Sequence, residues 1–117
     1  MVMVETIYYA RLEAGFEAVP AENYVDYMTN VIPVLERHIF YLPRKGIGII
    51  CEVKIDPAGG RVLMWSLREY DNIPANVVEI QVEEKKIDAI LVFLNYSDLP
   101  RKCDICDENL GALLRFF

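Results

Sequence analysis

Apolar and polar residues alternate in several segments of the chain, which is the pattern of half-buried β-strands. The alternation first runs from Thr6 to Ala14. It returns over 47–55 and 61–69, and the Asp-Pro-Ala-Gly-Gly connector between these two segments supplies turn residues. We therefore predict a β-hairpin there, followed by a third consecutive strand from Val78 to Val82, so that the three strands form a meander.

Apolar residues recur at helical spacing between the first strand and the hairpin. Pro20 suits the first turn of a helix, whereas Pro33 lies inside the pattern and would kink or split it. The sequence therefore predicts a kinked amphipathic helix that ends near Ile39 and buries one stripe. The residues of that stripe are Tyr24, Met28, Val31, Leu35 and Ile39.

The last third of the chain contains one ambiguous segment and one predicted helix. Residues 87–94 fit either an apolar helical stripe or a buried strand, and the acidic residues Glu83 and Glu84 ahead of them favour the helix. Further on, Asp104 or Asp107 is suited to cap a terminal helix. The apolar face of that helix would consist of Leu110, Leu113, Leu114 and Phe117.

Helices that are segregated from a mainly antiparallel sheet indicate a two-layer α+β fold. The predicted order is strand, kinked helix, three-strand meander, the ambiguous segment and a C-terminal helix. A chain of 117 residues has the size of one domain, so we expect residues 1–117 to form a single α+β domain.

Composition and charge narrow the class of protein. A hydrophobic content of 54% argues against disorder, and a formal net charge of −6 opposes a general attraction to phosphate backbones. No apolar run approaches the roughly 18–20 residues of a membrane span, and the first residues lack the pattern of a secretory signal. We expect a soluble cytoplasmic protein without a membrane partner. Seven Arg against five Lys weakly indicates a thermophilic source.

The sequence contains no complete catalytic motif. Nucleophile-elbow, phosphate-loop and dinucleotide-binding patterns are missing, and His38 is the one histidine that could serve as a base. The acidic residues Asp104, Asp107 and Glu108 could bind a divalent cation, but acids at a helix start equally complement the helix dipole. We therefore predict a non-enzymatic protein without a cofactor.

Cys103 and Cys106 form the single C-x-x-C motif of the chain. Together with Cys51 and His38 they have the residue types of a tetrahedral zinc site. Ahead of a helix, the motif could instead take part in thiol–disulfide exchange, or the two residues could simply pack, with or without a disulfide bond. An odd number of cysteines favours a reducing compartment, and Cys51 lies in an apolar run where we expect it to be buried.

The segment Leu-Pro-Arg-Lys occurs twice, at 42–45 and at 99–102. Each copy places two cations after a proline and close to an aromatic residue. Single-stranded nucleic acid is bound in this way, with cations on the phosphates and rings stacked on the bases. Sequence-tolerant binding of single-stranded DNA or RNA is therefore an alternative function. Its contacts would be Tyr41, Arg44, Lys45, Trp65, Arg101 and Lys102.

The aromatic content supports a protein-binding role. Seven Tyr, five Phe and one Trp are more than a core of this size is expected to cover. Tyr9 falls on the side of the first strand that we expect to face solvent, and two Phe residues end the chain. The leading hypothesis is therefore a binding domain that self-associates or docks on a protein partner. The residues predicted to make that contact are Tyr9, Trp65, Phe116 and Phe117.

Overall fold

The computed structural model describes residues 1–12, 34–56, 58–95 and 99–117. Within these residues, an antiparallel sheet of five strands in the order β4-β3-β2-β1-β5 is combined with two α-helices and a 3-10 helix. The strands are β1 (Val4–Leu12), β2 (Val34–Leu42), β3 (Ile47–Ile55), β4 (Arg61–Glu69) and β5 (Val78–Glu83). The helices are α1 (Glu84–Leu94), α2 (Asp104–Asn109) and the 3-10 helix (Gly111–Phe116). The predicted two-layer α+β class is confirmed.

One face of the sheet, here called the helix face, forms the main core with the helices. The strand register aligns Tyr9 with Phe40, Phe40 with Ile49 and Ile49 with Leu67, so these side chains form a row across four strands. The helix α1 contributes one buried stripe to the same core, and Cys106 and Leu110 from the C-terminal part of the chain also belong to it. The buried stripe consists of Ile87, Ile90, Leu91 and Leu94.

Two of the predictions from periodicity are confirmed. The hairpin strands β3 and β4 have the predicted bounds and pair along their full length from Ile47↔Glu69 to Ile55↔Arg61. Residues 87–94 lie in a helix, as the acidic residues ahead of them favoured. The first strand begins at Val4, two residues earlier than predicted, and its predicted end at Ala14 lies outside the described residues.

The prediction of a helix as far as Ile39 is wrong from Val34 onward. This part of the chain is the strand β2, which forms ladders with β1 on one side and β3 on the other. Leu35 and Ile39 are four residues apart, and that spacing places two side chains on one face of a strand as well as of a helix. Hydrogen-bonded ladders on both sides satisfy much of the backbone of β2, which outweighs a helical preference of this weak kind. The rest of the predicted helix, from Pro20 to Pro33, lies outside the described residues.

The neighbours of β5 also differ from the prediction. The meander is formed by β1 to β4 in sequence, and β5 pairs with β1 at the opposite edge of the sheet from β4. The edge of β4 carries a different partner, because the backbone of Arg101 forms two hydrogen bonds with that of Trp65, of 2.7 and 2.9 Å. Alternation predicted that 78–82 is a strand, but it does not specify which strand is the neighbour.

The C-terminal helix is divided and is capped by a cysteine. The N-cap of α2 is Cys103, whose sulfur accepts a hydrogen bond from the backbone N–H of Cys106, so neither Asp104 nor Asp107 is the cap. After α2 the chain continues as the 3-10 helix. Gly111 permits this close packing: a Cβ there would lie 3.1 Å from Cδ1 of Leu63.

Candidate functional site

Only two of the four residues predicted to contact a protein partner are exposed. Phe116 is 81% exposed and Phe117 is 39% exposed, whereas Tyr9 is 4% exposed and Trp65 is fully buried. The expectation that Tyr9 and Trp65 lie on the surface is therefore wrong. Tyr9 belongs to the helix face, because its register partner Phe40 is a core residue, and Trp65 is likewise covered by the terminal helices.

Phe117 lines a broad groove between the sheet and the 3-10 helix, and Phe116 precedes it in the chain. The groove has a volume of about 850 Å³. Its apolar wall includes Val53, Leu63, Leu114 and Phe117. Its charged residues are equally divided in sign: the arginines are Arg11, Arg61 and Arg115, and the acids are Glu36, Asp107 and Glu108. We call the groove together with Phe116 the C-terminal surface.

A chain of hydrogen bonds leads from the core to one wall of the groove. The hydroxyl of Tyr9 is 2.6 Å from Nδ1 of His38, and Nε2 of His38 is 3.0 Å from Oε2 of Glu36. Because a carboxylate can only accept, Nε2 of His38 donates to Glu36, and Nδ1 of the same ring is paired with the hydroxyl of Tyr9. Arg61 donates to the second oxygen of Glu36 at 3.1 Å. The chain therefore connects the core to the charged residues of the groove.

Strand geometry explains why these three side chains meet. Glu36 and His38 are two residues apart on β2 and share its helix face, and Tyr9 on the adjacent strand faces the same way. His38 and Tyr9 are also stacked, with ring centroids 5.7 Å apart. Sequence reasoning missed the set because it placed His38 on a helix. The available signal was the alternation of Glu36, His38 and Phe40.

Phe117 covers the inner end of this hydrogen-bonded chain. Its ring is stacked on that of Tyr9 with centroids 4.0 Å apart and an interplanar angle of 15°. Burial raises the pKa of Tyr9 above its ordinary value of 10.0, so the phenol stays protonated near neutral pH. The arrangement orients His38 and Glu36, and it places the Tyr9 hydroxyl beneath an aromatic ring rather than on an open surface.

The residues predicted for nucleic-acid binding do not form one patch. Arg44 and Lys45 lie in the exposed turn between β2 and β3, whereas Arg101 pairs with Trp65 at the edge of the sheet. Trp65 is four residues from the end of β4 that adjoins that turn, which is about 13 Å along a strand. Arg101 also lies over the ring of Phe93, at 4.8 Å from its centroid.

The two rings predicted to stack on bases are buried. Trp65 is fully enclosed, and Tyr41 is 6% exposed with its ring edge-on to that of Tyr70. The use of Trp65 as a stacking platform is therefore wrong, since a base cannot reach its face. Lys102 is exposed beside Arg101. Binding of single-stranded nucleic acid stays a prediction, and it would rest on the four cations alone.

Three of the four residues of the suggested zinc site have other partners. Cys103 and Cys106 are joined by a disulfide bond, and His38 is bonded to Tyr9 and Glu36. Cys51 is a free, fully buried thiol, as its apolar surroundings predicted. In the part of the chain that the structure describes, no three His, Cys, Asp or Glu residues are grouped as a metal site. This includes the acids Asp104, Asp107 and Glu108.

Comparison of the chain with models of protein families, with curated proteins and with solved structures finds no match in any of the three. Among the described residues, no helix is long and apolar enough to cross a membrane, and α1 has 11 residues.

Proposed function

We propose that this protein is a binding domain without a catalytic step, and that it associates with a second copy of itself through the C-terminal surface. The observation that carries the proposal is the exposure of Phe116 beside the groove. Phe116 lies between Arg115 and Phe117, both of which line the groove, yet its own ring is 81% exposed. Large aromatic side chains at such positions are typical of interface residues.

The shape of the surface supports reciprocal docking. The 3-10 helix buries none of its residues completely, and Leu113 and Leu114 are only partly covered. A two-fold symmetric contact places the same patch on both copies, so Phe116 of each copy would enter the groove of the other. A groove of about 850 Å³ has ample room for one aromatic ring.

The charges of the surface favour a second copy over a strongly charged partner. The protein carries a formal charge of −6, so two copies repel each other at long range. The groove itself has three arginines and three acidic residues, which balance. Two copies that meet through this surface therefore avoid the general repulsion, and each can pair its arginines with the acids of the other.

The hydrogen-bonded chain of Tyr9, His38 and Glu36 fits a structural role in this proposal. Its inner end is covered by Phe117, and its outer end is bonded to Arg61. It would hold the groove wall in place and fix the position of Phe117. We also propose a cytoplasmic location, where the Cys103–Cys106 bond would have to resist reduction.

Sedimentation velocity over a range of concentrations tests the proposal. We expect a concentration-dependent dimer at micromolar concentrations. Phe116→Ser should weaken association by about 30-fold, the effect of an interface residue that contributes about 2 kcal/mol. The matched control is Val92→Ser, which removes another exposed apolar side chain, 79% exposed on α1, and should leave the dimer unchanged. A wild-type protein that remains monomeric at about 100 μM, a concentration that would populate even a weak dimer, would contradict the proposal.

A further inference from the structure

The second face of the sheet, opposite the helix face, contains a separate cavity. Its volume is about 220 Å³, and it lies over β2, β3 and β4 near the end that carries Tyr70. Five of the twelve described lining residues are apolar or aromatic, among them Ile39, Ile50 and Tyr41. The buried Ser66 lies on the same face. No described residue lines both this cavity and the groove of the C-terminal surface.

Gly48 lies at the floor of the cavity, where the neighbouring side chains leave little room for a Cβ. A Cβ at this position would lie 3.1 Å from Cγ2 of Ile39 and 3.9 Å from the rings of both Tyr41 and Tyr70. Any larger residue would therefore fill the space between the two rings. Glycine is unfavourable inside a strand, and one reason for it there is the close approach of another group to the backbone.

The hydroxyl of Tyr70 is buried and has no hydrogen-bond partner among the residues that the structure describes. Two contacts hold Tyr70 in place. Its ring packs edge-on against that of Tyr41, with centroids 4.9 Å apart, and its backbone N–H donates to the carbonyl of Gly46 at 3.1 Å. Buried polar groups are nearly always hydrogen-bonded, so an unpaired phenol that lines a cavity indicates a partner that occupies it.

Charge around the cavity is balanced. Among the described lining residues, Arg37 donates twice to Oε2 of Glu52, from Nε at 3.1 Å and from the terminal nitrogen at 2.7 Å. Oε1 of Glu52 lies 3.9 Å from Nζ of Lys54, which is not among those lining residues. Arg68 and Glu69 contribute one further charge of each sign. A charged ligand would find no net attraction here, whereas a neutral ligand would lose little solvation on entry.

We propose that this cavity binds a neutral monocyclic compound that carries one hydroxyl group, which forms a hydrogen bond with the hydroxyl of Tyr70. An apolar cavity of about 150 Å³ is sufficient for benzene, so 220 Å³ accommodates one ring with one or two small substituents. Tyr41 and Tyr70 provide aromatic contact, and Ile39 and Ile50 provide aliphatic contact. The class is that of simple phenols and benzyl alcohols.

Calorimetric titration with p-cresol and with toluene tests this proposal. We expect p-cresol to bind the wild-type protein with a Kd of about 1 mM or lower, which is within the affinity limit of so small a ligand. Toluene, which lacks the hydroxyl, should bind about three- to tenfold more weakly because it leaves Tyr70 unpaired. Absence of p-cresol binding at about 10 mM, tenfold above the expected Kd, would overturn the proposal.

Two variants locate the site. Tyr70→Phe keeps the ring and removes the hydroxyl, so it should abolish the preference for p-cresol over toluene. Gly48→Ala adds a methyl group at the floor of the cavity, so it should weaken the binding of both p-cresol and toluene. Tyr8→Phe, on a half-buried tyrosine outside the cavity lining, is the matched control and should change neither affinity. If Gly48→Ala does not fold, Tyr70→Phe alone decides: an unchanged preference for p-cresol would overturn the proposal.

Discussion

The indole N–H of Trp65 donates a hydrogen bond to Oδ1 of Asp107 over 2.7 Å, which ties the edge of the sheet to the helix α2. Trp65 is fully buried, so this bond offsets the cost of removing its N–H from water. Burial also raises the pKa of the Asp107 carboxyl above its ordinary value of 3.8, and the bond from Trp65 offsets this only in part. Asp107 is thus a necessary acceptor whose negative charge is unfavourable.

The acceptor and the charge of Asp107 can be separated by substitution. Asp107→Asn retains an oxygen that accepts from Trp65 and removes the charge, so its free energy of unfolding at pH 7 should equal or exceed that of the wild type. Asp107→Ala leaves the buried N–H of Trp65 unpaired and should lower the free energy of unfolding by about 1–3 kcal/mol. Urea unfolding of both variants at pH 7 measures the difference. Equal destabilisation by Asn and Ala would contradict this account.

The pH dependence of Asp107 provides a second test. Its folded pKa is raised, so the folded protein binds the proton more readily than the unfolded chain. The resulting stabilisation is complete below the ordinary value of 3.8 and is lost as the pH rises through the folded pKa. Asp107→Asn should therefore gain stability relative to the wild type as the pH rises from about 3 to 7, the range in which the carboxyl ionises.

Local patterns in the sequence were sufficient to predict part of this fold. The hairpin β3–β4 combines alternation with an adjacent turn, and both signals lie within one stretch of chain. The strand β2 was misassigned because Leu35 and Ile39 are four residues apart, a spacing that satisfies a helix and a strand alike. Its polar residues Glu36 and His38 also face the core side, so the usual contrast between a wet and a dry face is lost.

The candidate sites depend on contacts between residues that are distant in the sequence. Trp65 and Asp107 are 42 residues apart, and Tyr9 and His38 are 29 apart. Such pairs follow from strand register and helix docking, which composition and periodicity do not specify. Phe116 is exposed, as expected, whereas Tyr9 is buried. The helices determine which face of a strand is buried, and alternation within the strand does not show on which face they pack.

Loss of the Tyr9 hydroxyl should destabilise the protein because it leaves Nδ1 of the buried His38 without this hydrogen bond. Tyr9→Phe keeps the ring that stacks on Phe117 and removes only the group that bonds Nδ1 of His38 at 2.6 Å. Because His38 is buried, we expect the free energy of unfolding to fall by about 1–3 kcal/mol in thermal or urea unfolding. Tyr8→Phe on the same strand is the control. A smaller loss for Tyr9→Phe than for Tyr8→Phe would contradict the hydrogen-bonded chain.

Glu36 should contribute to the resistance of the fold to acid. The hydrogen bond from His38 lowers its pKa below the ordinary value of 4.5, and Arg61 and Arg11 act in the same direction. An acid whose folded pKa is lowered stabilises the protein above its unfolded pKa, and this contribution is lost as the pH falls through the folded value. Glu36→Gln should therefore be less stable than the wild type at pH 7 and approach it near pH 3, when urea midpoints are compared. A constant difference between the two pH values would exclude this explanation.

Thiol reactivity should distinguish the three cysteines. Burial raises the pKa of the Cys51 thiol, so little thiolate forms and a thiol reagent has no access to it in the folded protein. Without reductant we expect no reaction under native conditions and one reactive thiol in denaturant, because Cys103 and Cys106 are joined to each other. Prior reduction should raise the count in denaturant to three. Cys51→Ala should have no reactive thiol in denaturant without reductant, and a count of two in that variant would show that the Cys103–Cys106 bond is not formed.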